Sequence, residues 1–368
     1  MIRESEYIKI IKKGESLPTI LSFSSLDTKP GTFKPYNILL NEDANIVFIN
    51  GKGNTWYQDG IIGVSDNPEE AASSLVKYAR EIGNGSAVTF GSSMGAYGAI
   101  LYGILGKADG CYTFGPEIKL NMPKSRTEKY LPPIEIKFPD LRLLNSNNDI
   151  PIIIYASEHD EIDLISISQV MDQKNVKVFP VNGCTHPGIK RELVVGCVAR
   201  FAKTGAIPMQ EQKNIDVDLI NELYKLYCKK VSSNFDGYLH ELEVLNEKTN
   251  GENFLVMLRL AEELKRVGNL TTSNNLYKEI ISKHPYSFEA YEALGDSTLN
   301  SLEERISYLQ NAIAINPMGR LQLKVARVAF ENMDYDVSYN AYIKAVKVYP
   351  NDSNVCKEYE TVKSILNK

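Results

Sequence analysis

The chain has 368 residues, 41 Lys and Arg against 46 Asp and Glu, and a formal net charge of −5. By the usual size rule that length makes about two domains. Hydrophobic content of 43% and aromatic content of 9% suit packed cores and exclude long disordered regions, and the mild acidity excludes a broad nucleic-acid surface. The apolar runs are strand-sized, so no membrane span is expected, and the acid-containing start reads as no secretory signal. Five scattered cysteines without a C-x-x-C pair read as free thiols, which predicts a reducing, cytoplasmic setting. The four histidines show no paired ligand spacing, so no metal is expected, and no cofactor motif is present.

Up to about residue 208 strands and helices alternate. Strands are predicted at Tyr7–Ile11, Thr19–Phe23, Asn45–Ile49, Ala87–Phe90, Cys111–Phe114, Ile152–Tyr155 and Val176–Val181, from β-branched and aromatic runs bounded by turn residues. Trp56 and Tyr57 follow the third strand, where flat rings suit stacking on a sugar face or packing in a core. Asn67-Pro68-Glu69-Glu70 starts a helix that runs to about Ile82: Asn67 caps it, Pro68 fits the first turn, and the acids match the positive end. Such alternation implies a mostly parallel sheet covered on both faces.

The fourth strand runs into Gly91-Ser92-Ser93-Met94-Gly95, a G-x-S-x-G between a strand and a small-residue helix. A serine on so tight a turn pushes its hydroxyl into solvent, and glycines two before and two after remove side chains that would collide. Backbone N–H groups and a helix N-terminus then face any negative oxygen that develops there. Ser93 is therefore the expected nucleophile, with Ser92 beside it as a substrate contact.

Residues 117–148 interrupt the alternation without a period. Lys124, Arg126, Lys129, Lys137 and Arg142 make this insertion basic, which suits an acidic substrate or a solvated loop. The sixth strand leads into Glu158-His159-Asp160-Glu161-Ile162-Asp163. Asp160 is the expected acid, with Asp163 and Glu158 as rivals, and it also suits a helix N-cap. The seventh strand leads to His186 on a Gly- and Pro-marked loop, where the base should sit. Cys184 lacks an elbow and is not read as a nucleophile. A last helix is expected over Val194–Phe201.

Strand order, elbow, acid loop and histidine loop resemble the α/β-hydrolase family over roughly residues 1–205. The resemblance implies a doubly wound sheet and a Ser93–His186–Asp160 triad acting through an acyl-enzyme. It also implies an oxyanion hole built from the Met94 N–H and a second donor at Ser24 or Ser25, with Asn50-Gly51-Lys52-Gly53 as a competing source. The spacing of Ser22-Phe23-Ser24, Phe48-Ile49-Asn50, Trp56-Tyr57 and the elbow is similar to esterases and O-acetyltransferases of capsule and surface-glycan pathways. Trp56, Tyr57 and Ser92 then become expected substrate contacts.

Beyond Pro208 the strand signals vanish. A helical linker is expected over 209–250 and a repeat region over 251–368. Pro285, Pro317 and Pro350 end matching segments 32 and 33 residues apart. Leu260-Ala261, Gly268 and Tyr277 belong to the first repeat, Tyr291, Leu294-Gly295 and Ala312 to the second, and Val325-Ala326, Tyr342 and Ala345 to the third. These positions resemble the tetratricopeptide repeat. The second repeat looks about two residues short in its inter-helix turn, and Val355–Leu366 reads as a capping helix.

The expected architecture is thus an α/β catalytic domain over 1–208 followed by an all-α repeat domain. The leading functional expectation is an esterase or deacylase for an acylated small molecule or glycan. A polysaccharide O-acetyltransferase drawing on acetyl-coenzyme A would use the same residues. A third possibility is a non-enzymatic assembly protein that binds a protein partner or itself through the repeats.

Overall fold

The structure, a computed structural model, describes residues 2–145, 148–205, 215–230 and 235–367. It divides into two compact units, Met1–Cys228 and Lys229–Lys368. The sequence boundary at 208/209 lies outside the described residues.

In the first unit β1 (Ile8–Ile11), β2 (Thr19–Phe23), β3 (Asn45–Ile49), β4 (Ala87–Ser92), β5 (Gly110–Phe114), β6 (Ile152–Ser157) and β7 (Val176–Val181) form one sheet. Its order is β1-β3-β2-β4-β5-β6-β7. Every neighbouring pair is parallel except β1 with β3, which is antiparallel at the edge. All seven expected strands are present, and β4 and β6 run two residues further than expected. The chain leaves β2 toward β3 on one side and returns with β4 on the other. The carboxyl ends of β2 and β4 therefore flank a topological switch point, the place where an open α/β sheet leaves a crevice.

Alternation along the strands sorts the core into two faces. Leu21, Phe23, Val47, Ile49, Ile152 and Ile154 point to one face, and Ile20, Ile46, Phe48, Phe90, Tyr112 and Tyr155 to the other. The first face is covered by α2 (Pro68–Ile82) and α3 (Met94–Gly106), the second by α1 (Tyr36–Leu39) and α7 (Cys197–Thr204). Asn67 caps α2 by accepting the Glu70 N–H at 2.8 Å, with Pro68 in the first turn. The insertion contains α4 (Arg126–Tyr130) and α5 (Leu141–Asn145), and α6 (Glu161–Ser168) follows β6.

One expectation changes. Within the stretch read as a helical linker, α8 (Val217–Lys229) lies in the first unit as far as Cys228. Its Ile220 packs on Met122 and Ile165, and the Tyr224 hydroxyl donates to the Pro123 carbonyl at 2.8 Å.

Among its described residues the second unit has only helices as regular elements: α9 (Phe235–Lys248), then three pairs and a final helix. The pairs are α10 (Phe254–Arg266) with α11 (Leu270–Lys283), α12 (Phe288–Asp296) with α13 (Leu302–Ile315), and α14 (Gly319–Glu331) with α15 (Tyr335–Val348); α16 (Ser353–Ile365) closes the array. This is a tetratricopeptide-like arrangement. Asn253, Asn269, Ser287, Ser301, Asp334 and Asp352 cap their helices through side-chain oxygens. Ser273 donates to the Ala261 carbonyl at 2.7 Å, and Ser338 repeats the bond to Ala326 at 2.8 Å. In the second pair Arg305 Nε bonds the Gly295 carbonyl at 3.0 Å instead.

The second repeat is short because its first helix has 9 residues where the matching helices have 13. Its turn, 297–301, is longer than the others, so the expected shortening of the turn is corrected. Gly295 lets α13 come close: a Cβ there would lie 2.5 Å from Leu309 Cγ. Leu309 is fully buried. Leu309→Ala should cost about 2–5 kcal/mol of stability. Hydrogen exchange should show protection falling first in α12 and α13, with the β-sheet amides unaffected.

Candidate functional site

Ser93 stands alone between β4 and α3, with φ 54 and ψ −123. Its N–H donates to the Phe114 carbonyl at 2.8 Å, and its own carbonyl accepts the N–H groups of Ala96 and Tyr97. The turn is as tight as the motif implied. A Cβ on Gly91 would lie 2.0 Å from the Gly95 carbonyl oxygen, and one on Gly95 would lie 2.2 Å from that of Phe23. No side chain fits either place.

His186 Nε2 lies 2.8 Å from Ser93 Oγ. Its Nδ1 lies 2.6 Å from Asp163 Oδ1, and Asp163 Oδ2 accepts the Ser157 N–H at 3.2 Å. The carboxylate meeting the imidazole is therefore Asp163, not Asp160. Asp160 is drawn into another role by the start of α6: its Oδ1 accepts the Asp163 N–H at 3.0 Å as N-cap. Its Oδ2 meets Arg126 Nη2 at 2.6 Å. The N–H of Glu158, the other rival, pairs with the Val181 carbonyl at the end of β7.

Burial works to raise the Asp163 carboxyl, but His186, Arg126 and the Ser157 N–H together outweigh it and hold Asp163 below its ordinary value. Asp160 is pushed up, chiefly by burial and then by the charge of Asp163, against Arg126.

The acid and histidine loops are stitched together by a residue that sequence reading set aside. His159 Nε2 accepts the Gly183 N–H at 2.9 Å, and the His159 N–H donates to Ser157 Oγ at 3.0 Å. Ser157 Oγ in turn donates to the Cys184 carbonyl at 2.6 Å. The His186 ring lies over Gly115 at the end of β5, where a Cβ would approach it at 3.0 Å.

On the β2 side two expectations are corrected. The Ser24 N–H is already bonded to the Ile49 carbonyl at 2.9 Å, so it is no free donor. Trp56 and Tyr57 are 1% and 0% exposed, so they are core residues and not substrate contacts. The buried Tyr57 hydroxyl donates to the Ser24 carbonyl at 2.7 Å. The Ser24–Ser25 peptide is trans, so holding its carbonyl toward the core turns the Ser25 N–H the opposite way. Asn50 is occupied elsewhere, with its side-chain amide on the carbonyls of Thr28 and Lys29. Met94 opens α3, where first-turn N–H groups have no partner within the helix.

A cavity of about 490 Å³ holds Ser93, His186, Ser92 and Ser25, with Lys124, Arg126 and Lys129 of the insertion on its wall. Arg142 instead pairs with Asp140. Among the described residues no group of three or more His, Cys, Asp or Glu could hold a metal ion, and no helix is long and apolar enough to cross a membrane.

No protein-family model matches this chain, and no curated protein matches it. Among solved structures it is similar to a crystal structure of MamA protein, at 20% identity and a TM-score of 0.37, over 40% of this chain and 81% of that one. A MamA 41-end structure from Desulfovibrio magneticus RS-1 is similar at 11% identity and a TM-score of 0.37, over 42% and 88%.

The lowered Asp163 value sets a pH expectation. The ionised carboxylate stabilises the folded state above its unfolded pKa, and that contribution is lost as pH falls through the lower folded value. The proton between His186 Nδ1 and Asp163 should therefore give a downfield NMR resonance that persists below the usual carboxylate range. Asp163→Asn should abolish it and Asp160→Asn should leave it.

Proposed function

We propose that the first unit is a serine acyl-transfer enzyme of α/β-hydrolase type with Ser93 as nucleophile. The observation that carries this reading is the unbroken relay Ser93 Oγ–His186 Nε2 at 2.8 Å and His186 Nδ1–Asp163 at 2.6 Å, mounted on a strained elbow at a sheet switch point. The chain order Ser93, Asp163, His186 also matches that fold class.

In this mechanism Ser93 Oγ attacks the acyl carbonyl while His186 Nε2 takes its proton. Asp163 holds the imidazole in the tautomer with hydrogen on Nδ1 and stabilises the imidazolium. The N–H groups of Met94 and Ser25 receive the developing oxyanion, with Tyr57 fixing the Ser25 peptide through the Ser24 carbonyl. Collapse of the tetrahedral intermediate breaks the bond to the leaving group, which takes the proton from His186. Water then releases the acid in an esterase. A sugar hydroxyl would take the acyl group in an O-acetyltransferase, with acetyl-coenzyme A as donor. The burial of Trp56 and Tyr57 removes the aromatic platform that favoured a glycan acceptor, so hydrolysis stands first.

The second unit supports a separate and compatible role in protein interaction or self-association, carried by its three stacked helix pairs and closing helix. A purely non-enzymatic assembly protein would leave the Ser93 relay without use. Light scattering of the full chain over a range of concentrations tests self-association through a mass that rises with concentration.

A fluorophosphonate should label Ser93 in the wild-type chain and fail with Ser93→Ala; an unlabelled wild type would remove the enzymatic reading. On an activated ester Ser93→Ala should lose at least about a thousandfold and Asp163→Asn about 10⁴-fold in turnover. Asp160→Ala should instead cost about 1 kcal/mol of stability through its lost cap, with a much smaller loss of rate. Tyr57→Phe keeps the packed ring but frees the Ser24 carbonyl. It should slow acylation by about ten- to a hundredfold, less than the 10²–10³ of a deleted oxyanion donor.

A further inference from the structure

We propose that the acyl substrate carries a negative charge, a carboxylate or a phosphate, drawn to the cavity wall by Lys124 and Lys129. This rests on the acyl-transfer reading above and names the substrate class for it. The stretch from Lys124 to Lys129 supplies three cations to the cavity that holds Ser93 and His186, and the single carboxylate lining it is Asp160.

Arg126 already answers that carboxylate. Its Nη2 sits 2.6 Å from Asp160, and its Nη1 lies 3.5 Å from Asp163 and 3.8 Å from Glu117. The nearby acids of the insertion are directed at backbone donors. Glu117 accepts the N–H groups of Arg126 and Thr127, and Glu128, outside the cavity lining, accepts the Lys124 N–H at 2.6 Å. Among the described residues neither lysine ammonium makes an ion pair, and Lys129 Nζ lies 4.7 Å from the centre of the Tyr130 ring, itself part of the wall. The remaining wall near the nucleophile is neutral, with Leu26, Ile162 and Tyr227.

The segment is also held in place. Lys124 adopts φ 63, Ser125 caps α4, the Asn121 N–H donates to Thr127 Oγ1 at 2.8 Å, and Tyr224 fixes the Pro123 carbonyl. Cations carried on so held a backbone, next to the cavity, concentrate an anionic substrate there.

Paired esters test this with the full chain. Mono-4-nitrophenyl succinate against 4-nitrophenyl butyrate places the charge on the acyl side. 4-Carboxyphenyl acetate and 4-phosphonophenyl acetate against phenyl acetate place it on the leaving side and separate carboxylate from phosphate. In at least one arm kcat/KM for the anionic ester should exceed the neutral one by about tenfold at low ionic strength, and the ratio should shrink with added salt. Lys124→Gln with Lys129→Gln should collapse the ratio toward one, and the double change to Glu should invert it. Lys137→Gln, in the same insertion but outside the cavity, should leave it intact. Ratios near one in every arm, with the neutral esters turned over and Ser93 labelled, would overturn the inference alone. Inert esters with an unlabelled Ser93 would overturn the acyl-transfer reading and the inference with it.

Discussion

The site depends on one strained residue. A serine at φ 54 and ψ −123 occupies sparsely populated backbone space, at a cost of about 1–3 kcal/mol. The strain persists because its surroundings leave no alternative. The Ser93 N–H is committed to β5 through Phe114, its carbonyl to the first turn of α3, and the two glycines allow backbone to touch backbone. Once the elbow is fixed, the hydroxyl stands at the switch point between β2 and β4. The other groups must reach it from β6 and β7, across the end of β5. Gly115, at that end, lacks the Cβ that would press on the imidazole. The sheet order and two or three missing side chains thus determine where His186 can lie.

The electrostatics follow from one short helix. Starting α6 at Glu161 makes Asp160 the cap and puts Asp163 one turn further on, beneath the imidazole. Two carboxylates so close repel each other, and Arg126 offsets that repulsion by pairing with Asp160 and lying near Asp163. The insertion therefore does more than roof the cavity. It supplies a cation that, with His186, helps hold the buried Asp163 carboxyl below its ordinary value.

The strands and the repeat array were legible because their signals are periodic and local. β2, β3 and β7 run as the β-branched runs implied, and the prolines at 285, 317 and 350 mark the helix pairs. The placing of Ser93 and His186 was legible because the elbow has a steric logic and histidine is scarce. The acid was not, because two aspartates three residues apart both follow β6, and the choice turns on where α6 begins. As the cap, Asp160 has one oxygen on the Asp163 N–H and the other on Arg126. The aspartate three residues on is left to face the histidine. The short second repeat was legible in its length but not in its cause, since a lost helical turn and a shortened loop give the same spacing of prolines.

The aromatic pair after β3 shows where a sequence holds an answer in a place that is easily overlooked. Trp56 and Tyr57 have φ of 50 and 60, rare for bulky residues, and both are buried, so packing must hold them against that preference. Nothing in the local sequence separates a packed aromatic from a ligand platform. Gly98 does. A glycine inside a buried helix costs about 1 kcal/mol relative to alanine, so its presence needs a close neighbour to account for it. That neighbour is Tyr57, whose ring would lie 2.4 Å from a Cβ on Gly98. The helix that follows Ser93 thus has room to seat the tyrosine whose hydroxyl donates to the Ser24 carbonyl. One ring thus touches both the β2 loop and α3, and a residue offered as a substrate contact meets the site from within the core.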